Sequence, residues 1–207
     1  MKIKALVLAV AVGATLFTGC AKKADPAAAP KADAAKPAAT ETKKTDAVAT
    51  ASVVDTNAAF EKALTKDGGK YVVATLKDLT FDKELVVEGS YKTGKKDDKG
   101  NLIKDANGNE QTQRKIGLYT QDDKHNVTGR FTLTAPKITF NSDFGSLEHG
   151  TFKGDLYISG KNFKLVNQKI DGNVYFLNAD AEKTFTIADS KTDNVATVIT
   201  GKKELKK

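Results

Sequence analysis

The stretch ITFNSDFGSLEHGTFKGDLYISGKNFKLVNQKIDGNVYF, residues 138–176, decides the fold. Within it Ile138, Leu156 and Val174 recur at an interval of 18, and Phe140, Ile158 and Phe176 keep the same interval. Leu147 and Leu165 repeat it, as do Phe152 and Ile170, while Pro136, Gly154 and Gly172 fall in step at a turn position. Several apolar columns sharing one period mark an internal repeat of short strands punctuated by glycine, the signature of a solenoid. At about 3.3 Å per residue, one such period traces a perimeter of about 60 Å, which suits a triangular coil stacked about 4.8 Å above its predecessor. The expectation is therefore an all-β chain built as a three-faced β-solenoid, a parallel β-helix whose coil length equals that period. Short strands and turns also serve an antiparallel β-sandwich or barrel, which is the alternative fold.

Outward from this core the period loosens. Leu118 and Val127 precede Ile138 and Leu147 at an interval of 20, predicting one more coil with a two-residue insertion. Phe185 and Ile187 follow Phe163 and Leu165 at an interval of 22, predicting a looser C-terminal coil. Further strands are expected at 71–76, 79–81, 85–87, 116–119 and 127–133. Thr56 or Asn57 offers a polar N-cap to the run Ala58, Ala59, Phe60, Glu61, Ala63 and Leu64, and Gly68 and Gly69 offer a stop. That pattern predicts one short helix capping the open end of the solenoid domain, 53–207. No later segment shows a helical period. Residues 92–113 are a polar excursion whose Lys99-Gly100-Asn101 and Asn107-Gly108-Asn109 are turn chemistry, so a protruding hairpin is expected there.

The first 52 residues have a different character. Lys2 and Lys4 precede an apolar run from Ala5 to Phe17, too short to span a bilayer but right for a signal peptide over 1–19. From residue 20 to 52 the chain is mostly Ala, Lys, Pro, Thr and Asp, a composition that cannot bury enough surface to offset ordering entropy and predicts a disordered tether. The run Leu16-Phe17-Thr18-Gly19-Cys20 resembles the lipobox of bacterial lipoproteins. The resemblance implies cleavage before Cys20 and diacylation of its thiol. Two or more acyl chains make anchoring stable, since each buried methylene contributes about 0.8 kcal/mol. It also implies a location on the extracytoplasmic side of the cell membrane or outer membrane. A second likeness lies at Gly154-Asp155-Leu156-Tyr157-Ile158 and Ile170-Asp171-Gly172-Asn173-Val174-Tyr175-Phe176, which look like the Gly-Asp/Asn-Val repeats of bactofilins, the polymer-forming bacterial scaffold proteins. Covering about residues 136–176, it implies a three-faced β-helix and end-to-end assembly without nucleotide.

Charge narrows the partners. The net charge is +7, but residues 1–50 hold eight lysines against four acidic residues, leaving 25 basic against 22 acidic beyond them. A folded part of about +3 with only two arginines, Arg114 and Arg130, does not present a nucleic-acid footprint. The single cysteine excludes an intrachain disulfide and a cysteine-based metal cluster. No phosphate loop, nucleophile elbow or metal helix motif is present, so no cofactor is expected. A calcium reading would draw on Asp105, Asn107, Asn109 and Glu110, but it lacks the glycine and bidentate glutamate that a calcium loop places at its sixth and twelfth positions. His125 and His149 stand in polar turns, where solvation is the expected state. Asp155 and Asp171 fall where adjacent coils could bring two carboxylates together. Tyr157 and Tyr175 lie between inward positions and so face outward one coil apart, where they could contact a glycan or a neighbouring molecule.

The function expected is that of a non-enzymatic, lipid-anchored envelope module, structural or adhesive; the alternative is a domain that binds or cleaves cell-wall polysaccharide. Its partners would be the membrane, and cell-wall polymer or further copies of itself. Leu156 sits in the middle column, so Leu156→Asp places a charge in the core and should cost at least about 3 kcal/mol. Loss of the cooperative thermal transition, followed by circular dichroism, is the expected outcome.

Overall fold

A computed structural model describes residues 51–207 apart from Ala106, Lys191, Thr192 and Lys207. Cys20 and the tether up to residue 50 lie outside the described residues. The described part is dominated by short β-strands, nearly all paired in parallel. One sheet runs in the order β1 (Ala51–Val54), β2 (Val72–Thr75), β6 (Thr112–Gly117), β10 (Gly145–Glu148), β12 (Lys164–Val166) and β15 (Thr186–Ile187). The second contains β3 (Leu79–Thr80), β4 (Leu85–Val87), β9 (Thr132–Phe140), β11 (Thr151–Ile158), β13 (Lys169–Asp171), β14 (Val174–Phe176), β16 (Val198–Ile199) and β17 (Lys203–Leu205). It forks, because β9 and β11 are long enough to carry two sets of partners. The first halves pair with β3 and β13, the second halves with β4 and β14.

The four apolar columns within residues 138–176 are sets of Cα partners, Ile138↔Leu156↔Val174, Phe140↔Ile158↔Phe176, Leu147↔Leu165 and Phe152↔Ile170, whereas at the turn the register shifts, so that Gly154 lies against Ala135 rather than pairing with Pro136. All of these side chains are buried, with Phe176 alone departing from zero exposure, at 1%. Parallel pairing sets the antiparallel sandwich aside. Each column side chain removes its apolar surface from water for about 1.5–3 kcal/mol.

The upstream step expected from Leu118 and Val127 does not occur. Leu147 pairs instead with Ile116, at an interval of 31, and Ile138 pairs with Leu85, at an interval of 53. Two insertions account for the surplus. β7 (Tyr119–Gln121) and β8 (Val127–Arg130) form a separate antiparallel hairpin, so Val127 is not a column residue. Residues 91–113 form a second excursion, opened by β5 (Tyr91–Lys92) lying antiparallel on β6. The downstream step is as expected, with Leu165 opposite Ile187. The extra residues include helix α2 (Ala179–Thr184), which has no apolar stripe for a sequence reading to find.

Helix α1 spans Asn57–Leu64 as expected, with Thr56 as N-cap accepting the Ala59 N–H. It ends at Thr65, whose N–H and hydroxyl both donate to the Lys62 carbonyl, ahead of the two glycines expected to stop it. Phe60, Ala63 and Leu64 are buried, and Phe60 packs on Phe81 with ring centroids 5.7 Å apart. The strand before the helix starts at Ala51, so ordered structure reaches into the end of the segment expected to be tether.

The turn where β9 and β11 bend is tightly stacked. Gly154 and Gly172 have φ of 138° and 159°, and a Cβ on Gly172 would lie 2.1 Å from the Gly154 carbonyl oxygen. Backbone there rests directly on backbone. Gly172→Ala should therefore destabilise the fold by at least about 2 kcal/mol, lowering Tm by roughly 5 °C or more. Gly100→Ala, at a positive φ but with open space around it, should cost about 1 kcal/mol; comparable melting shifts in the two variants would refute the stacking constraint.

Candidate functional site

Tyr157 and Tyr175 are Cα partners, and their rings lie 4.9 Å apart. The expectation of an aromatic pair holds, but its outer surface is occupied. The Lys206 ammonium sits 4.6 Å and 4.8 Å from the two ring centroids and donates to the Tyr157 hydroxyl at 2.6 Å. Lys137 covers Tyr157 at 5.0 Å. The chain's own cations thus stand where a ligand ring would stack.

The calcium candidates do not converge. Asp105 Oδ1 accepts the N–H groups of Asn107 and Asn109, both at 2.9 Å, while Glu110 points to the neighbouring strand, accepting from Gly94 N–H and pairing with Lys92. The same turn recurs twice, with Asp97 accepting from Lys99 and Asn101 and Asp122 from Lys124 and Asn126. Its signal, legible in hindsight, is Asp-x-x-Gly-Asn, with His125 taking the glycine place at φ 64°. Two such turns fold residues 93–113 into an antiparallel meander rather than one hairpin, through the Ile103 N–H to Lys95 and Gln111 N–H to Ile103 bonds. Among the described residues no group of three or more metal-ligating side chains converges.

The carboxylates suggested for acid/base work are separately engaged. Asp155 accepts the backbone and side-chain N–H groups of Asn173, both at 2.9 Å, and Asp171 accepts from Thr200 at 3.3 Å.

His149 is not a solvated turn residue. Its Nδ1 lies 2.7 Å from Asp193 Oδ2, its ring packs 4.4 Å from Tyr119, and its side chain is only 12% exposed. Arg130 closes the cluster by gripping both Asp193 oxygens and donating to the His149 carbonyl at 2.8 Å. Asp193 lies far beyond His149 in the chain, in an irregular loop, so no spacing pattern announces the pair. Burial pushes the Asp193 carboxyl up, but hydrogen bonds from Arg130, the Val195 N–H and His149 together outweigh it and hold the group below its ordinary value of 3.8.

Beside this cluster, on the outer face of the first sheet, Glu148 is buried against Lys115, with the Ser146 hydroxyl donating to it at 2.9 Å. Burial opposes the Lys115 charge, yet the attraction of Glu148 and then Tyr119 exceeds it and holds the ammonium above its ordinary range. A lysine so held keeps its proton and does not act as a base. Two adjoining hollows of about 170 and 390 Å³ open on this face, sharing Lys95, Gln113 and Lys164. The meander supplies Lys95 as the overhanging wall, and the sheet supplies the floor. What the arrangement can do is hold a polar, negatively charged molecule.

Buried beneath the end of α1, Arg114 has no carboxylate partner among the described residues. Its guanidinium donates to the Ala63 carbonyl at the end of α1, at 2.5 Å, and to the Lys70 carbonyl, and it stacks 4.9 Å from the Tyr91 ring. Burial lowers its pKa, against which the Tyr91 hydroxyl acts. Its role is to close the helix C-terminus, where a cation is favoured by the helix dipole.

Asp193→Asn removes the Arg130 ion pair and should cost roughly 1–3 kcal/mol near neutral pH. Because the folded carboxyl titrates below its ordinary value, its contribution is complete above the ordinary carboxylate range and is lost as pH falls through the lower folded value. The urea midpoint difference between wild type and Asp193→Asn should therefore be constant above about pH 5 and shrink on acidification below about pH 4; a difference independent of pH would contradict it. Comparison of the chain with family models, with curated proteins and with solved structures finds no match, so function rests on the geometry of the chain itself.

Proposed function

We propose that this chain is an exported lipoprotein, held to an envelope membrane by acyl chains on Cys20, whose folded part is a three-faced β-solenoid serving as a non-catalytic surface module. The observation that carries the architecture is the forked register at β9 and β11. Each of these strands shifts register at the stacked turn of Ala135 and Gly154 and feeds two ladders, a pattern that, with the first sheet, supports a reading of three faces around one core. Successive rungs then run as β6 and β9, β10 and β11, then β12 with β13 and β14. The bactofilin-like Gly-Asp and Gly-Asn pairs occupy this same turn, where Asn173 bonds to Asp155 one rung away.

Anchoring is argued from the apolar run ending in Leu16-Phe17-Thr18-Gly19-Cys20 and from the polar, lysine-rich composition of the chain beyond it. No helix among the described residues is long and apolar enough to cross a membrane. A binding or scaffolding role is favoured over cleavage because Lys115 retains its proton and the Asp155 and Asp171 carboxylates serve separate hydrogen bonds. Pairing between two copies of the C-terminal edge is disfavoured on charge. The last strand, Lys203–Leu205, is flanked by Lys202 and Lys206, and lysines along an open sheet edge repel a second edge.

Metabolic labelling with a fatty acid, comparing wild type with Cys20→Ala, tests the anchor. Label should enter the wild type and be absent from the variant; label persisting in Cys20→Ala would remove the proposal.

A further inference from the structure

On the outer face of the first sheet, three lysines and one carboxylate line the same hollow. Lys115, Ser146 and Lys164 are successive Cα partners on β6, β10 and β12, so the two lysines lie two strands apart, about 9–10 Å at the usual strand spacing. Lys95 reaches in from the meander above, and it lines both hollows with Lys164. Glu148 is paired to Lys115. Lys95 and Lys164 have no carboxylate partner among the described residues, which leaves the groove with an excess of two positive charges. The neutral lining of the first hollow is mostly carboxamide and hydroxyl, from Gln111, Thr112, Gln113 and Asn162 beside Phe144, while that of the second is largely apolar, from Val72, Val166 and Ala188 beside Tyr71.

We propose that this groove binds a chain of an acidic polysaccharide, lying across the strands with its carboxylates on Lys95 and Lys164 and its hydroxyls on the amides. Four features favour such a ligand. The groove is open and runs on from one hollow to the next, as a polymer requires. The neutral lining of its first hollow is rich in groups that both donate and accept, matching sugar hydroxyls, and that of its second offers the Tyr71 ring and aliphatic side chains to the apolar faces of sugar rings. Its charges are lysine points rather than arginine forks. Both arginines are committed elsewhere, Arg114 to the end of α1 and Arg130 to Asp193, so the planar clamps that phosphate-backbone recognition favours are missing from the groove. The meander is what makes the groove: without the 93–113 excursion, Lys164 would stand on a flat exposed sheet.

The inference rests on the extracytoplasmic placement proposed above for its biology, but its test does not use acylation, so either can fail alone. The full chain, purified in detergent micelles, is titrated with polygalacturonate oligomers, neutral dextran of similar length and poly(dT), by calorimetry at low salt. Polygalacturonate should bind, and dextran and poly(dT) should bind at least tenfold more weakly, about 1.4 kcal/mol. Lys95→Gln with Lys164→Gln should weaken polygalacturonate binding about tenfold or more. Lys153→Gln with Lys169→Gln, the same charge loss on exposed positions of the other sheet, should change it less than about twofold. Equal weakening by both double variants, equal binding of poly(dT) or dextran, or no binding by the wild type would each overturn the proposal.

Discussion

Stacking backbone on backbone at a fixed spacing is the constraint on which the rest of this structure depends. Parallel strands one hydrogen bond apart leave about 4.8 Å between rungs, so each residue meets its counterpart in the rung above and below. Leu156 must therefore fit between Ile138 and Val174, and Ile158 between Phe140 and Phe176. At the bend the same spacing removes the side chain altogether, since the Gly154 and Gly172 positions lie against the carbonyls of Ala135 and Gly154. Like therefore stacks on like inside, and nothing larger than hydrogen is admitted at the Gly154 and Gly172 positions.

This constraint explains what is legible in the sequence and what is not. Where successive rungs carry no insertion, the ladder prints its period directly into residues 138–176, and both the columns and their burial can be read. Where a rung carries an insertion, the spacing between partners is set by the insertion and not by the repeat. Ile116 and Leu147 are partners as intimate as Leu147 and Leu165, yet the β7–β8 hairpin stretches their interval from 18 to 31. The match of Leu118 and Val127 to the later columns is accidental, because Leu118 immediately precedes that hairpin and Val127 lies within it. The candidate site is less legible still. Tyr157 and Tyr175 are given by the period, but His149 and Asp193 meet only because the loop after β15 folds back, a contact with no local pattern.

Insertions also decide where polar chemistry accumulates. The core has no room for it: the buried ionisable side chains Arg114 and Glu148 each lie where an excursion or a helix crosses the ladder. Arg114 sits under α1 and faces its C-terminal carbonyls. Glu148 lies on the outer sheet face, sheltered enough for Lys115 to be an effective partner. A carboxylate at the same register on a bare face would be solvated, and its pairing would contribute little. The antiparallel excursions thus convert a uniform outer face into local environments with distinct charge and depth.

The lysines divide on the same principle. Those of the last rung work inward: Lys206 lies over the tyrosine pair, and Lys203 over the Phe185 ring at 5.5 Å. Engaged with aromatic faces, they close the C-terminal end and keep its open edge positive. Lys95 and Lys164, by contrast, have neither ring nor carboxylate to satisfy them among the described residues, and both line the two adjoining hollows. Both are exposed, where water and salt screen their charges, so neither helps to hold the ladder together. The excess positive charge of this face is therefore uncommitted to the fold, whereas the cations over the aromatic ladder are already engaged.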